Sequence, residues 1–146
     1  MSEVKFYEIA GDNLGKTLPQ LLYKIYDQTG EKLLLILQDA AEIELYNKLF
    51  WTFSSNKFLP HGTVKDGPDH YGPLLLTDKL ENLNQAKILV STKYLTEQNS
   101  KDFAQEIYVF SQNNNQQFLD AFHKRKDSGE TVSYWQQDAA GKWQKI

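Results

Sequence analysis

The spacing of hydrophobic residues in the first third of the chain predicts alternating strands and helices. A run of aromatic and branched residues at 4–9 predicts a first strand. Leucines and an isoleucine then recur at helical spacing from Leu14 to Ile25, and Gly30 is placed to end that helix. The apolar run K-L-L-L-I-L at 32–37 predicts a strand that is buried on both faces, as in a parallel sheet. A second helix is predicted at 40–50.

The pattern changes after the second predicted helix. The stretch from Thr52 to Gly72 is rich in glycine and proline and poor in aliphatic residues, which predicts a long loop. Such a loop in a small domain is usually functional or mobile. The remaining hydrophobic runs predict strands at 73–77, 87–91, 107–110 and 131–136, with a helix at 116–126. This order of elements predicts a single α/β domain over residues 1–146.

Composition and charge limit the classes of function that fit this chain. Of its 146 residues, 40% are hydrophobic and 24% are charged, which is ordinary for a soluble globular domain. The formal net charge of −3 disfavours direct DNA binding, which usually needs a basic surface. The chain has no cysteine, which excludes disulfides, zinc–thiolate sites and cysteine nucleophiles. Because there is neither a signal-peptide core nor a long apolar run, we expect a soluble, cytoplasmic protein.

One short stretch has the pattern of a phosphate-binding loop. A-G-D-N-L-G-K-T, from Ala10 to Thr17, lies between a predicted strand and a predicted helix, and it ends in the Gly-Lys-Thr that holds phosphate and magnesium in such loops. Asp39, after the next strand, stands where a magnesium-orienting carboxylate would. Against this interpretation, the first loop position is alanine, and no other segment suggests base recognition or an arginine finger. The alternatives are a nucleotide-binding loop and a polar turn into a helix.

Histidines and aspartates share the long predicted loop. His61 and His70 lie near Asp66 and Asp69, and these residue types bind metals or transfer protons. Their spacing matches no metal-binding motif, and solvated polar residues explain the pattern equally well. Since no nucleophile motif or paired-carboxylate motif occurs either, the sequence predicts no catalytic site and no metal site.

Two further stretches suggest protein-binding surfaces. The stretch W-T-F-S-S-N-K-F-L-P-H-G at 51–62 places several large apolar side chains at a helix end and loop, where they either close the core or anchor a partner: Trp51, Phe53, Phe58 and Leu59. F-H-K-R-K at 122–126 places a cluster of basic side chains at the end of a helix of an acidic protein. This second stretch is either a solvated helix end that suits the helix dipole or a dock for an acidic peptide, with Phe122 as an apolar floor.

Several blocks of sequence match a known family in order and over essentially the whole chain. They are F-Y at 6–7, L-P-Q-L-L at 18–22, W-T-F, F-L-P-H-G-T and D-G-P within 50–68, P-L-L-L-T at 73–77, and V-S-Y-W-Q-Q-D with G-K-W-Q-K near the C-terminus. Phe50 departs from the pattern, because leucine is usual there. With these blocks the chain resembles the chi subunit of bacterial DNA polymerase III, in the form found in alphaproteobacteria.

The resemblance implies a Rossmann-like, three-layer α/β domain with a mostly parallel central sheet and no cofactor. It also implies a non-catalytic accessory subunit of the polymerase III holoenzyme, within the clamp-loader complex, that reaches DNA only through its partners. The Gly-Lys-Thr of the possible phosphate loop is not part of the family pattern. A small nucleotide-binding protein that uses Ala10 to Thr17 therefore remains as the alternative function.

The first binding site that the resemblance implies grips single-stranded-DNA-binding protein by its acidic C-terminal tail, which ends in Pro-Phe. The corresponding residues here are Phe122, His123 and Lys126, with Lys124 and Arg125 adjacent to them in the same predicted site. A tyrosine or tryptophan is usual where Phe122 stands and a lysine where His123 stands, so we expect a weaker and pH-sensitive grip. Two residues of the adjoining predicted strand, Val132 and Tyr134, are expected to line the pocket.

The second implied site docks the small psi subunit, which links chi to the clamp loader. The corresponding residues here are Trp51, Phe58, Pro60 and His61. Because psi is not obvious in many alphaproteobacteria, a helicase-like protein is the alternative partner at this site.

Overall fold

One sheet of eight strands, covered by three α-helices, makes up the described part of the chain. The computed structural model describes residues 3–95 and 103–146. The strands are β1 (Glu3–Ile9), β2 (Leu33–Ile36), β3 (His61–Thr63), β4 (Leu74–Thr77), β5 (Ile88–Ser91), β6 (Gln105–Ser111), β7 (Val132–Gln137) and β8 (Trp143–Lys145). The helices are α1 (Leu14–Thr29), α2 (Ala40–Thr52) and α3 (Asn115–Asp127). Short 3-10 helices occupy Val64–Asp66, Pro68–His70 and Gln112–Asn114.

The sheet is parallel except at one edge. Its strand order is β3-β4-β2-β5-β6-β1-β7-β8. Every neighbouring pair is parallel apart from β7 and β8, which are antiparallel. A chain that passes from one parallel strand to another needs a crossover connection, and the helices lie in three such connections: α1 between β1 and β2, α2 between β2 and β3, and α3 between β6 and β7. β1 pairs with both β6 and β7, so Phe6 lies level with Tyr108 on one side and Tyr134 on the other.

Alternating side chains build a core on each face of the sheet. α1 and α2 cover one face, where the core includes Leu18, Leu22, Leu33, Leu35, Tyr46 and Phe50. α3 covers part of the opposite face, where the core is mainly aromatic and contains Phe6, Tyr108, Phe110, Phe118, Phe122 and Tyr134. β2 supplies both faces, because Leu33 and Leu35 point to one core while Leu34 and Ile36 point to another. The sheet is therefore the middle of three layers.

These observations confirm the predicted α/β fold with its mostly parallel central sheet. The predicted strands and helices lie within two residues of the observed bounds, and Gly30 ends α1 in the left-handed conformation at φ 68°. Two strands were not predicted. β3 lies inside the stretch predicted as a long loop, and β8 lies in the C-terminal tail, after a turn in which the Asp138 carboxylate accepts from the N–H groups of Ala140 and Lys142.

Among the described residues, none of the helices has the length and hydrophobicity that a membrane-spanning segment requires.

Candidate protein-binding sites

The end of α2 and the following loop present an exposed pair of aromatic rings. Trp51 and Phe58 are 57% and 54% exposed. Their rings stack with centroids 5.4 Å apart, and the His61 ring lies 4.7 Å from that of Trp51. Pro60, also exposed, joins His61 to the buried Leu59. We call Trp51, Phe58, Pro60 and His61 the aromatic patch; the structure brings all these predicted residues into one region.

Other residues of the same stretch point inward and hold the aromatic patch in place. The side chain of Leu59 is fully buried in the core beneath α2. The ring of Phe53 packs 6.0 Å from Tyr23 and 6.4 Å from Phe50. Both interpretations of this stretch therefore apply, because some of its apolar side chains close the core while others face solvent.

Each nitrogen of the His61 ring lies beside a backbone carbonyl oxygen, one in the preceding loop and one in α2. Nδ1 lies 2.9 Å from the carbonyl oxygen of Leu59, and Nε2 lies 3.1 Å from that of Asn47 in α2. A carbonyl oxygen only accepts hydrogen bonds, and a neutral imidazole has one N–H to donate. Both contacts are thus hydrogen bonds only when the ring is doubly protonated, and the neutral ring keeps one of them.

The last turns of α3 carry the predicted basic cluster, and its members divide between surface and core. The side chains of His123, Lys124 and Lys126 are exposed. Phe122 is only 3% exposed, and its ring lies 5.3 Å from that of Tyr134 in the aromatic core. The Nζ of Lys126 stands 5.6 Å above the Phe122 ring. The basic side chains therefore lie over a core phenylalanine.

Arg125 lies on the inner side of α3, where two carboxylates hold its guanidinium. Its two terminal nitrogens lie 2.7 and 3.2 Å from the carboxylate oxygens of Glu106 in β6. Its Nε lies 3.1 Å, and one terminal nitrogen 2.9 Å, from Glu130, in the loop after α3. Burial opposes the charge of Arg125, but the two carboxylates outweigh it and raise the pKa of Arg125. The hydrogen bonds from Arg125 lower the pKa of Glu130.

Glu106 is a residue of this cluster that the predicted sites did not include. It is buried in β6 and also accepts a hydrogen bond from the hydroxyl of Tyr108. Burial, followed by the charge of Glu106, raises the pKa of Tyr108, so this tyrosine stays a neutral donor. A glutamate inside the apolar run E-I-Y-V-F is a signal in the sequence, since a buried carboxylate needs a charged or hydrogen-bonding partner.

The two strand residues expected to line a pocket beside α3 have different positions. Val132 is half-buried and packs against the aromatic core. Tyr134 is fully buried, and its hydroxyl donates to the carboxylate of Glu8, which also accepts from Asn115 at 3.0 Å. Burial, followed by the hydrogen bond to Glu8, raises the pKa of Tyr134. Tyr134 is thus part of the core and not part of the surface.

The stretch with the phosphate-loop pattern forms a tight crossover turn. β1 ends at Ile9 and α1 begins at Leu14, so only residues 10–13 lie outside regular structure. The backbone N–H groups of Lys16 and Thr17 donate to the carbonyl oxygen of Asn13, at 3.2 and 2.8 Å. In a phosphate loop such N–H groups face the ligand. Here they are already bonded to Asn13, so the geometry does not favour nucleotide binding.

Of the histidines and aspartates of the long loop, His61 and Asp66 have structural partners, while His70 and Asp69 are exposed. Asp66 accepts from the Thr63 N–H at 2.8 Å and from the Thr63 hydroxyl at 3.2 Å, which fixes the 3-10 helix that follows β3. That backbone hydrogen bond lowers the pKa of Asp66, with help from His70 and His61. Among residues 3–95 and 103–146, no three His, Asp or Glu side chains form a group able to hold a metal ion.

Comparison with known proteins identifies relatives of this chain. Residues 1–132 match the family model described as DNA polymerase III chi subunit, HolC. A protein of Rickettsia prowazekii (strain Madrid E), named "Probable DNA polymerase III subunit chi", is 31% identical over 90 residues. The aligned segment is 62% of this chain and 54% of that protein, so the chain spans about half the length of the curated relative that it matches.

Proposed function

The chain belongs to the DNA polymerase III chi subunit family, and from this premise we propose that it is a non-catalytic accessory subunit that connects the replicative polymerase to single-stranded-DNA-binding protein. It acts within the clamp-loader complex of the bacterial cytoplasm and reaches DNA through its partners. The observation that carries this proposal is the group of exposed side chains on α3, His123, Lys124 and Lys126, in a protein whose formal net charge is −3.

The α3 group suits the acidic tail of single-stranded-DNA-binding protein. Lys124 and Lys126 are exposed and can pair with aspartates and with a C-terminal carboxylate, and charge-assisted hydrogen bonds of this kind are the strong ones. Lys126 is exposed, and the alkyl chain of a lysine offers apolar surface beside the charge for a terminal phenylalanine. Added salt weakens such a contact, because it screens exposed charges.

The aromatic patch suits a second protein partner. Exposed Trp51, at the end of α2, stacks on exposed Phe58, in the loop that the buried Leu59 and the contacts of His61 hold in place. Rigid aromatic anchors of this kind supply much of the binding energy at protein interfaces. We assign this patch to the psi subunit or to a helicase-like protein in its place, and through it to the clamp loader.

A pull-down with two variants tests both sites in one experiment. The tagged protein is incubated with nuclease-treated extract of the bacterium that encodes it, and captured proteins are identified by mass spectrometry. We expect Lys126→Glu to lose single-stranded-DNA-binding protein and keep the clamp-loader subunits. We expect Phe58→Ala to show the reverse pattern.

Matched controls separate these effects from general changes of charge or hydrophobicity. Lys24→Glu reverses an exposed charge on α1, and Leu83→Ala removes an exposed apolar side chain between β4 and β5. Both controls should capture everything that the wild type captures. If the wild type captures neither partner, or if both site variants keep both partners, the proposed function is wrong.

A further inference from the structure

Arg125 has little capacity left for a ligand, because two carboxylates already hold it. Its Nε and terminal nitrogens donate to Glu106 and to Glu130 along two edges of the guanidinium. Its side chain is 17% exposed. One positive charge therefore faces two negative charges, and this cluster is net negative beside the basic side chains of α3.

The two carboxylates differ in how firmly they are held. Glu106 is buried within β6 and also accepts a hydrogen bond from the Tyr108 hydroxyl. Separating it from Arg125 would leave its carboxylate charge buried without a cationic partner, which is unfavourable. The side chain of Glu130 is 42% exposed and lies in the loop after α3, where the Ser128 hydroxyl donates to it at 3.2 Å. Exposed ion pairs contribute little to stability, because water solvates both partners well when they separate. Glu130 is thus the exchangeable partner of Arg125.

We propose that Glu130 occupies the edge of Arg125 that an incoming carboxylate would take, so that it is a built-in competitor of acidic ligands at the end of α3. This inference rests on the proposed function of that site. A ligand with several carboxylates can displace Glu130 from Arg125 while Lys124 and Lys126 hold the rest of it. A ligand with one carboxylate gains less binding energy, because that carboxylate can pair either with a lysine or with Arg125, and Arg125 is already paired. Glu130 is therefore a specificity-determining residue that favours multiply acidic tails.

Calorimetry with a synthetic peptide tests the proposal. The peptide has several aspartates and ends in Pro-Phe, and it is titrated into wild type, Glu130→Gln and Glu81→Gln. Glutamine keeps the shape and an acceptor oxygen but removes the charge, so we expect Glu130→Gln to bind about three- to fivefold more tightly. Its affinity should also fall more steeply with salt, since Arg125 joins the contact. Glu81→Gln removes an exposed carboxylate elsewhere and should match the wild type.

The outcomes separate the inference from the function on which it rests. If the wild type does not bind the peptide, the tail contact itself is wrong. If the wild type binds and Glu130→Gln binds no better than Glu81→Gln, the competitor role is wrong. A second measurement uses the wild type alone: the NMR signal of the Arg125 Nε–H should shift as peptide is added. An unchanged signal under saturating peptide also overturns the inference.

Discussion

At the scale of single residues, Gly62 shows most directly why a particular side chain is excluded. This glycine lies in the short edge strand β3, and the chain passes close to it again at the second 3-10 helix. A Cβ atom at Gly62 would lie 1.9 Å from the carbonyl oxygen of His70 and 2.9 Å from its carbonyl carbon. These are backbone atoms, so no rotation of a side chain can relieve the contact. The close approach fixes the loop that continues from the aromatic patch.

We therefore expect Gly62→Ala to destabilise the protein by about 3 kcal/mol, because the backbone must move to admit the methyl group. Gly15→Ala is the matched control. There the new Cβ would meet only the Cδ1 of Leu49 at 3.6 Å, an ordinary contact, inside α1. Alanine favours a helix, so this change should leave stability unchanged or raise it by up to about 1 kcal/mol. Urea unfolding followed by circular dichroism measures both; equal midpoints for the two variants would contradict the expectation.

At the scale of elements, α3 has a buried inner face, although the basic residues near its end suggest a helix end that is wholly exposed. Phe118, Ala121 and Phe122 are buried, and Arg125 follows at the next helical interval on the same side, where it meets Glu106. His123, Lys124 and Lys126 lie outside this face. The run F-H-K-R-K therefore contains a core residue, a residue of a buried ion pair and three surface residues. Helical spacing from Phe118 is enough to place Phe122 and Arg125 on the inner face of α3. That Arg125 is paired there depends on Glu106, which lies on β6.

We expect Phe122→Ala to destabilise the protein by about 4 kcal/mol, since it leaves a cavity in the aromatic core. Phe58→Ala should change stability by less than about 1 kcal/mol, because more than half of that side chain is already exposed. Thermal and urea unfolding of the two variants provide the comparison. A small effect at Phe122 would show that its ring is not a core element. A loss of peptide binding in Phe122→Ala would report loss of folding, so charge changes at Lys126 are the better probe of binding.

At the scale of the whole molecule, the central strands join the two cores. In β6, Ile107 and Val109 point to the core under α1 and α2, while Tyr108 and Phe110 point to the aromatic core under α3. Loss of β6 would thus remove both cores together. The predicted family is confirmed, and the extent of the domain over residues 1–146 stays a prediction.

We expect the whole chain to unfold in one cooperative transition. Far-ultraviolet circular dichroism reports the helices and the sheet, and near-ultraviolet circular dichroism reports the packed aromatic core. The two signals should give the same midpoint in urea, as they do for single domains of this size. Separate midpoints would show that the chain divides into more than one folding unit.

The sequence pattern is sufficient for the three helices, for six of the eight described strands and for the family to which the chain belongs. The L-L-L-I run of β2, the helical spacing that ends at Gly30 and the blocks shared with the chi family are patterns of neighbouring residues. Local periodicity is sufficient for them, because a strand or helix repeats its burial every few residues. β3 and β8 were not predicted because each has only three residues, too few for a periodic pattern. Each forms by pairing with a neighbouring strand.

The folded structure is needed to tell which of several chemically similar side chains are exposed to a partner. Trp51 and Phe58 face solvent while Phe53 faces the core, although all lie within one short stretch. Lys126 is exposed, whereas its neighbour Arg125 is held by Glu106, which lies on another strand. The physical reason is that exposure and pairing depend on what lies across space from a residue. Those neighbours come from distant parts of the chain, and they meet only when the sheet has formed.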